Sequence, residues 1–113
     1  LVITNPVVGT GTEAVAGDTL KVLYTGWLYD ASKPDNKGKQ FDANQTGAGF
    51  DFVLGRGTVI VGWDQGLVGM KVGGTRILAI PYKLGYGERG ASSIPAYAGL
   101  LFEVKLIGVE KKK

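Results

Sequence analysis

VIVGWDQGLVGMKVGG, residues Val59 to Gly74, is the stretch that sets the architecture. Trp63, Leu67 and Met70 fall at i, i+4 and i+7, one face of a helix. Gly66 and Gly69 lie in the same span, and each weakens a helix by about 1 kcal/mol relative to alanine. The spacing therefore predicts one short helix within Val59 to Met70, held by packing and ended by Gly73-Gly74. Around it the chain alternates with period two or breaks into turns.

Upstream, Leu20, Val22, Tyr24, Gly26 and Leu28 alternate with Lys21, Leu23, Thr25 and Trp27, a strand pattern rich in strand-forming types. Phe50, Phe52 and Leu54 give a second strand, broken by Gly55-Arg56-Gly57. Leu1 to Val8 reads as an edge strand. Ala31 to Gln40 is polar, holds Pro34 and Gly38, and reads as a surface loop or bulge. Downstream, Thr75 to Pro81 is a strand, and Leu100 to Ile107 alternates again as a closing strand. Between them Tyr82 to Ala98 is a long irregular connection; such connections are usually functional or disordered, and its aromatic and apolar residues favour order. The sum is an α+β domain of four to six mostly antiparallel strands and one short helix.

The chain has 113 residues, 44% apolar and 20% charged, which fits a single domain spanning 1–113. Its 19 glycines favour turns and β structure over a helix bundle. It contains neither cysteine nor histidine. Disulfides, thiol nucleophiles, His-ligated zinc and Ser-His-Asp catalysis are therefore excluded. Activity must come from carboxylates, hydroxyls, lysines, backbone groups or the shape of an apolar pocket. Net charge is +3, and Lys111, Lys112 and Lys113 account for it. That tail reads as a solvated, frayed terminus or a linker, and the balanced charge elsewhere argues against a nucleic-acid-binding face. No apolar run is long enough to span a membrane. Asn44-Gln45-Thr46 fits a glycosylation acceptor, a common chance triplet.

GTGTEA and GRGTVIVG lack a Gly-Lys-Ser/Thr ending and a βαβ setting, so neither is a phosphate loop. Ten acidic residues permit a carboxylate pair, but spacing selects none. The aromatic residues say more: Tyr24, Phe41, Phe50, Phe52, Trp63, Tyr86 and Phe102 are spread over most elements, as core filling or as a pocket lining. Asp42 follows Phe41 directly, as a turn residue or as an acceptor for a tyrosine hydroxyl or a substrate amide.

An ordered series of motifs runs along the chain: VLYTGWL (Val22 to Leu28), FDAN (Phe41 to Asn44), FDFVLG (Phe50 to Gly55), VIVGWDQGLVGMKVGG, IPYKLGYG (Ile80 to Gly87), Ile94-Pro95 and LLFEVKLIGV (Leu100 to Val109). This series resembles the FKBP-type peptidyl-prolyl cis–trans isomerases, the family that binds tacrolimus and rapamycin. The resemblance covers nearly the whole chain, and the Gly-Trp-Asp-x-Gly and Leu-Gly-Tyr-Gly wording is similar to bacterial members. It implies an antiparallel half-barrel sheet of about five to six strands wrapped around one short helix. It implies an enzyme that speeds rotation about X-Pro bonds and assists protein folding, without cofactor or metal. By motif, Tyr24, Asp42 and Tyr86 would be catalytic. Phe41, Phe50, Val59, Ile60, Trp63, Ile94 and Phe102 would bind substrate or macrolide, with Trp63 at the pocket floor. The Ile60 N–H and the Tyr86 hydroxyl would donate to carbonyls. Partners would be proline-containing peptides, unfolded chains and macrolides such as tacrolimus and rapamycin, with no nucleic acid and a monomer as the expected state. The rival reading is a proline-peptide or macrolide-binding or chaperone module with little turnover.

The chain departs from the family pattern in three places. ANQTGAG after Asp42 lacks the arginine that often follows and can pair with the aspartate. The loop ERGASSIPAYAGL has Tyr97 and Gly99 where common members have Asn and Thr. The loop before Phe41 is longer than in minimal members.

Overall fold

The computed structural model describes residues 1–112. Seven elements follow one another: β1 (Val2–Val7), β2 (Thr19–Tyr29), β3 (Lys37–Asn44), β4 (Phe50–Val53), α1 (Val61–Gly66), β5 (Thr75–Ile80) and β6 (Leu100–Glu110). A 3₁₀ turn at Tyr82–Leu84 follows β5. The sheet runs β1-β5-β6-β2-β3, with every pairing antiparallel. β4 also pairs with β2, through Thr19–Val22, while β3 takes Tyr24–Tyr29 of the same edge. Among the described residues no helix is long and apolar enough to cross a membrane.

Period-two alternation decides which face is dry. Leu20 and Val22 of β2, Leu78 and Ile80 of β5, and Leu100, Phe102, Val104 and Leu106 of β6 are all buried. They form one cluster with Phe52, Trp63, Leu67 and Met70, so the sheet curls over the helix. This is the antiparallel half-barrel with one short helix that the motifs imply.

The helix is shorter than its periodicity suggests. It ends at Gly66, with Leu67 as its C-cap and Gly69 at φ +85°. Met70 lies beyond it yet is 3% exposed, because the turn after the helix folds back into the core. The glycines have a use here. A Cβ on Gly62 would stand 2.6 Å from Ile80 Cγ2, and one on Gly66 would stand 2.9 Å from Leu78 Cδ2. Both let the helix backbone lie directly on β5. Gly62→Ala is therefore expected to destabilise by about 1–3 kcal/mol through overpacking, despite alanine's better helix propensity. Urea denaturation checks this, and a gain in stability would refute the close approach.

One expectation about the strands needs correction. Ala31 to Gln40 is not all loop: Lys37–Gln40 already belongs to β3, paired with Tyr29 and Trp27 through register shifts. Its polar residues are tolerated because this end of an edge strand faces solvent. The closing strand, Leu100–Glu110, lies between β5 and β2. Leu1 to Val8 does hold the edge strand β1, irregular between Thr4 and Val7 where Pro6 cannot donate.

Nor is the basic tail frayed at its start. Lys111 Nζ sits 2.7 Å from Asp18 Oδ2, and the Lys112 N–H donates to Asp18 Oδ1 at 3.1 Å. Asp18 is 1% exposed and also accepts the Val15 N–H. A carboxylate out of water needs such donors. The Lys111 hydrogen bond and the Lys112 N–H hold its pKa down at about 2, against desolvation. Lys113 lies outside the described residues.

Candidate functional site

A cavity of about 210 Å³ opens between the concave sheet and the helix. Such a volume is below the usual range for drug-sized ligands and suits a single ring. Trp63 of α1 contributes to it from the helix, with Phe102 of β6 beside it at 5.3 Å between ring centroids, edge to face. Tyr24 of β2 and Phe50 of β4 line it from the sheet. Tyr24 stands edge-on to Trp63 at 5.0 Å and to Phe50 at 6.1 Å. The aromatic rings thus meet at right angles, the arrangement their quadrupoles favour. Thr58, Val59 and Ile60, leading into α1, supply one wall, and Tyr86 the rim. The alternation in β2 places Tyr24 on the concave face; the bend after β4 brings Val59 and Ile60 across from it.

Among the described residues, Asp42 of β3 is the one carboxylate at this cavity. The Tyr24 hydroxyl donates to its Oδ2 at 2.7 Å, and the Ala43 N–H to its Oδ1 at 2.9 Å. Burial raises the Tyr24 pKa, and the hydrogen bond to Asp42 raises it further. Tyr86 is raised too, by burial first and by the Asp42 charge second. Both tyrosines therefore stay protonated and remain donors at neutral pH. Asp42 makes no ion pair among the described residues, as expected from the missing arginine. The Ile60 N–H and the Tyr86 hydroxyl have no protein acceptor among the described residues, which leaves two donors for an incoming carbonyl.

Eight of the ten expected residues line one cavity: Tyr24, Asp42 and Tyr86, with Phe50, Val59, Ile60, Trp63 and Phe102. Phe41 stands behind Phe102, edge to face at 5.5 Å. Ile94 is buried in the core cluster, its backbone paired with Ala91. Thr58 was not expected; its position directly before Val59 and Ile60 was the available signal. Hollows of similar size elsewhere are walled by surface groups such as Glu103 and Lys105, or Lys21 and Asp51. No cluster of three or more acidic residues able to hold a metal ion occurs among the described residues.

A family model described as FKBP-type peptidyl-prolyl cis-trans isomerase matches residues 10–107. The chain is 48% identical over 103 residues to an FK506-binding protein 4 of Gibberella zeae, covering 91% of this chain and 19% of that one. It is also 48% identical over 102 residues to an FK506-binding protein of Neisseria meningitidis, covering 89% and 88% respectively. The chain thus spans about a fifth of the fungal relative and most of the bacterial one. Among solved structures, FkpA from Escherichia coli superposes with a TM-score of 0.81 at 34% identity, over 98% of this chain and 48% of that one.

Proposed function

We propose that this chain, which belongs to the FKBP-type peptidyl-prolyl cis–trans isomerase family, accelerates rotation about X-Pro peptide bonds within the aromatic cavity. One observation carries the reading: a ring-sized cavity walled by Tyr24, Phe50, Trp63 and Phe102, with two unengaged donors at its margin. Planarity of the amide sets the barrier of roughly 18–20 kcal/mol. Twisting the X-Pro bond breaks resonance and leaves a less polarised group. A dry aromatic cavity favours that group over the planar, hydrated one, so binding is stronger in the transition state. The Ile60 N–H and the Tyr86 hydroxyl hold carbonyls while the ring turns. Asp42 orients the Tyr24 hydroxyl and presents negative charge to the twisting amide. Phe41 braces Phe102 from outside the lining, and Ile94 supports the site from the core. No proton leaves the substrate, so a chain without histidine can do this chemistry.

The substrates are proline-containing peptides and unfolded chains, and macrolides such as tacrolimus and rapamycin compete for the same cavity. Residues 1–113 act as one domain, as a monomer.

The test is isomerisation of a short X-Phe-Pro peptide, with and without rapamycin, by wild type and Asp42→Ala. Lowering the barrier by ~5 kcal/mol gives several-thousand-fold acceleration, abolished by the drug. Removing a charged hydrogen-bond partner is expected to reduce kcat/KM roughly ten- to hundred-fold. The solvent rate with drug binding intact would make the chain a binding or chaperone module instead.

A further inference from the structure

We propose that Asp64 is a positioning residue, whose carboxylate fixes the wall of the cavity against its aromatic floor. The inference rests on the cavity being the isomerisation site. Asp64 Oδ1 accepts the Gly55 N–H at 2.8 Å and Oδ2 accepts the Gly57 N–H at 2.9 Å. Both acceptors belong to one side chain, and both donors belong to the connection from β4 to α1. That connection continues directly into Thr58, Val59 and Ile60, which line the cavity.

Little else restrains it. Residues 55–58 are exposed. Beyond a turn at Leu54 and Gly55, no backbone–backbone hydrogen bond ties Gly55 to Val59 among the described residues. Gly55 and Gly57 have φ of +84° and +73°, and a Cβ on Gly57 would meet nothing within 4 Å. Two exposed glycines in left-handed conformations sample many alternatives when nothing holds them. The Asp64 carboxylate removes that freedom with two charge-assisted bonds.

The other end of the clamp is rigid. Asp64 follows Trp63, which is 4% exposed, on a helix pressed against β5. The loop is thereby referenced to the residue that lines the cavity from below. The Ile60 carbonyl accepts the Trp63 and Asp64 N–H groups, while the Ile60 N–H has no protein acceptor among the described residues. Clamp, wall and free donor form one continuous segment. Without the clamp, Val59 and Ile60 shift relative to Trp63, and a misplacement of an ångström is enough to cost roughly a hundred-fold in rate.

Asp64→Ala is expected to lower kcat/KM for a short X-Phe-Pro peptide roughly ten-fold or more, mainly through KM. Asp64→Asn keeps one acceptor oxygen and should fall between. Amide exchange should quicken at Gly55 and Gly57 while the β6 amides of Val104 and Leu106 keep wild-type protection. A purely structural role would lower the thermal midpoint and speed all amides together, leaving KM unchanged where the variants are folded. An unchanged KM, or unchanged exchange at Gly55 and Gly57, overturns the proposal. If wild type turns over no peptide, the functional reading fails on its own. The Gly55 and Gly57 exchange, and displaced resonances of Thr58 to Ile60, still decide the clamp.

Discussion

Phe102→Ala is expected to remove about 3–5 kcal/mol of folding stability and most of the turnover. Phe102 is 3% exposed in the central strand, paired with Gly26 on one side and Leu78 on the other. Its ring touches Trp63, Phe41 and Tyr24 at centroid distances of 5.3, 5.5 and 6.2 Å. Truncation therefore opens a void under three aromatic side chains at once, and the strands on both sides prevent collapse into it. A Cβ on Gly26 would stand 2.6 Å from Phe102 Cε1, so the ring lies flush against the β2 backbone. Against a typical total of about 5–15 kcal/mol, such a loss leaves a marginal protein. The same ring is a wall of the cavity, and kcat/KM should fall roughly ten- to hundred-fold even where the variant remains folded. Urea denaturation and peptide isomerisation at low temperature separate the two effects. A variant that keeps wild-type turnover would show that Phe102 serves the core alone.

The second large effect concerns acid. The folded-state pKa of Asp18 is about 2, below its ordinary 3.8. The carboxylate contributes stability that is fully present above 3.8 and is lost as pH falls toward about 2. Wild type should accordingly weaken across that window, taking up a proton as it unfolds. Asp18→Asn should weaken far less there, with roughly one fewer proton taken up, while being less stable at neutral pH. A neutral amide loses the charge-assisted bonds that the Asp18 carboxylate accepts from Lys111 Nζ and from the Val15 and Lys112 N–H groups. Denaturant midpoints measured at several pH values test this. Equal acid slopes in both proteins would assign the loss to other carboxylates.

Much of this was legible from residue order because period-two burial is a strong physical signal. Leu20, Val22 and Tyr24 declared the concave face of β2, and Leu100, Phe102, Val104 and Leu106 that of β6. Trp63, Leu67 and Met70 declared a buried stripe, although the helix beneath it stops at Gly66, because a turn can also deliver a side chain to the core. The Phe41-Asp42 pair suggested an acceptor for a tyrosine hydroxyl, and Asp42 fills that role for Tyr24 at 2.7 Å. What remained hidden were contacts between distant, individually ordinary residues. Nothing local distinguishes Asp18 from any other acid beside a glycine, since its charged partner is Lys111, 93 positions away. Asp64 drew no reading of its own, because its partners are backbone N–H groups, which leave no mark on composition.

The strand order has a consequence for how a ribosome can make this protein. β6, which follows the other described elements in chain order, lies between β5 and β2 and joins the two halves of the sheet. Until Leu100–Glu110 has emerged, β1 with β5 and β2 with β3 and β4 are separate fragments, each exposing an unpaired inner edge. Phe102 and Leu106 are not yet there to cover Trp63 or Leu20. Partial structure along the nascent chain therefore gains little, and assembly waits for β6. A protein whose family hastens proline rotation in other chains keeps its own centre unfinished until β6 arrives.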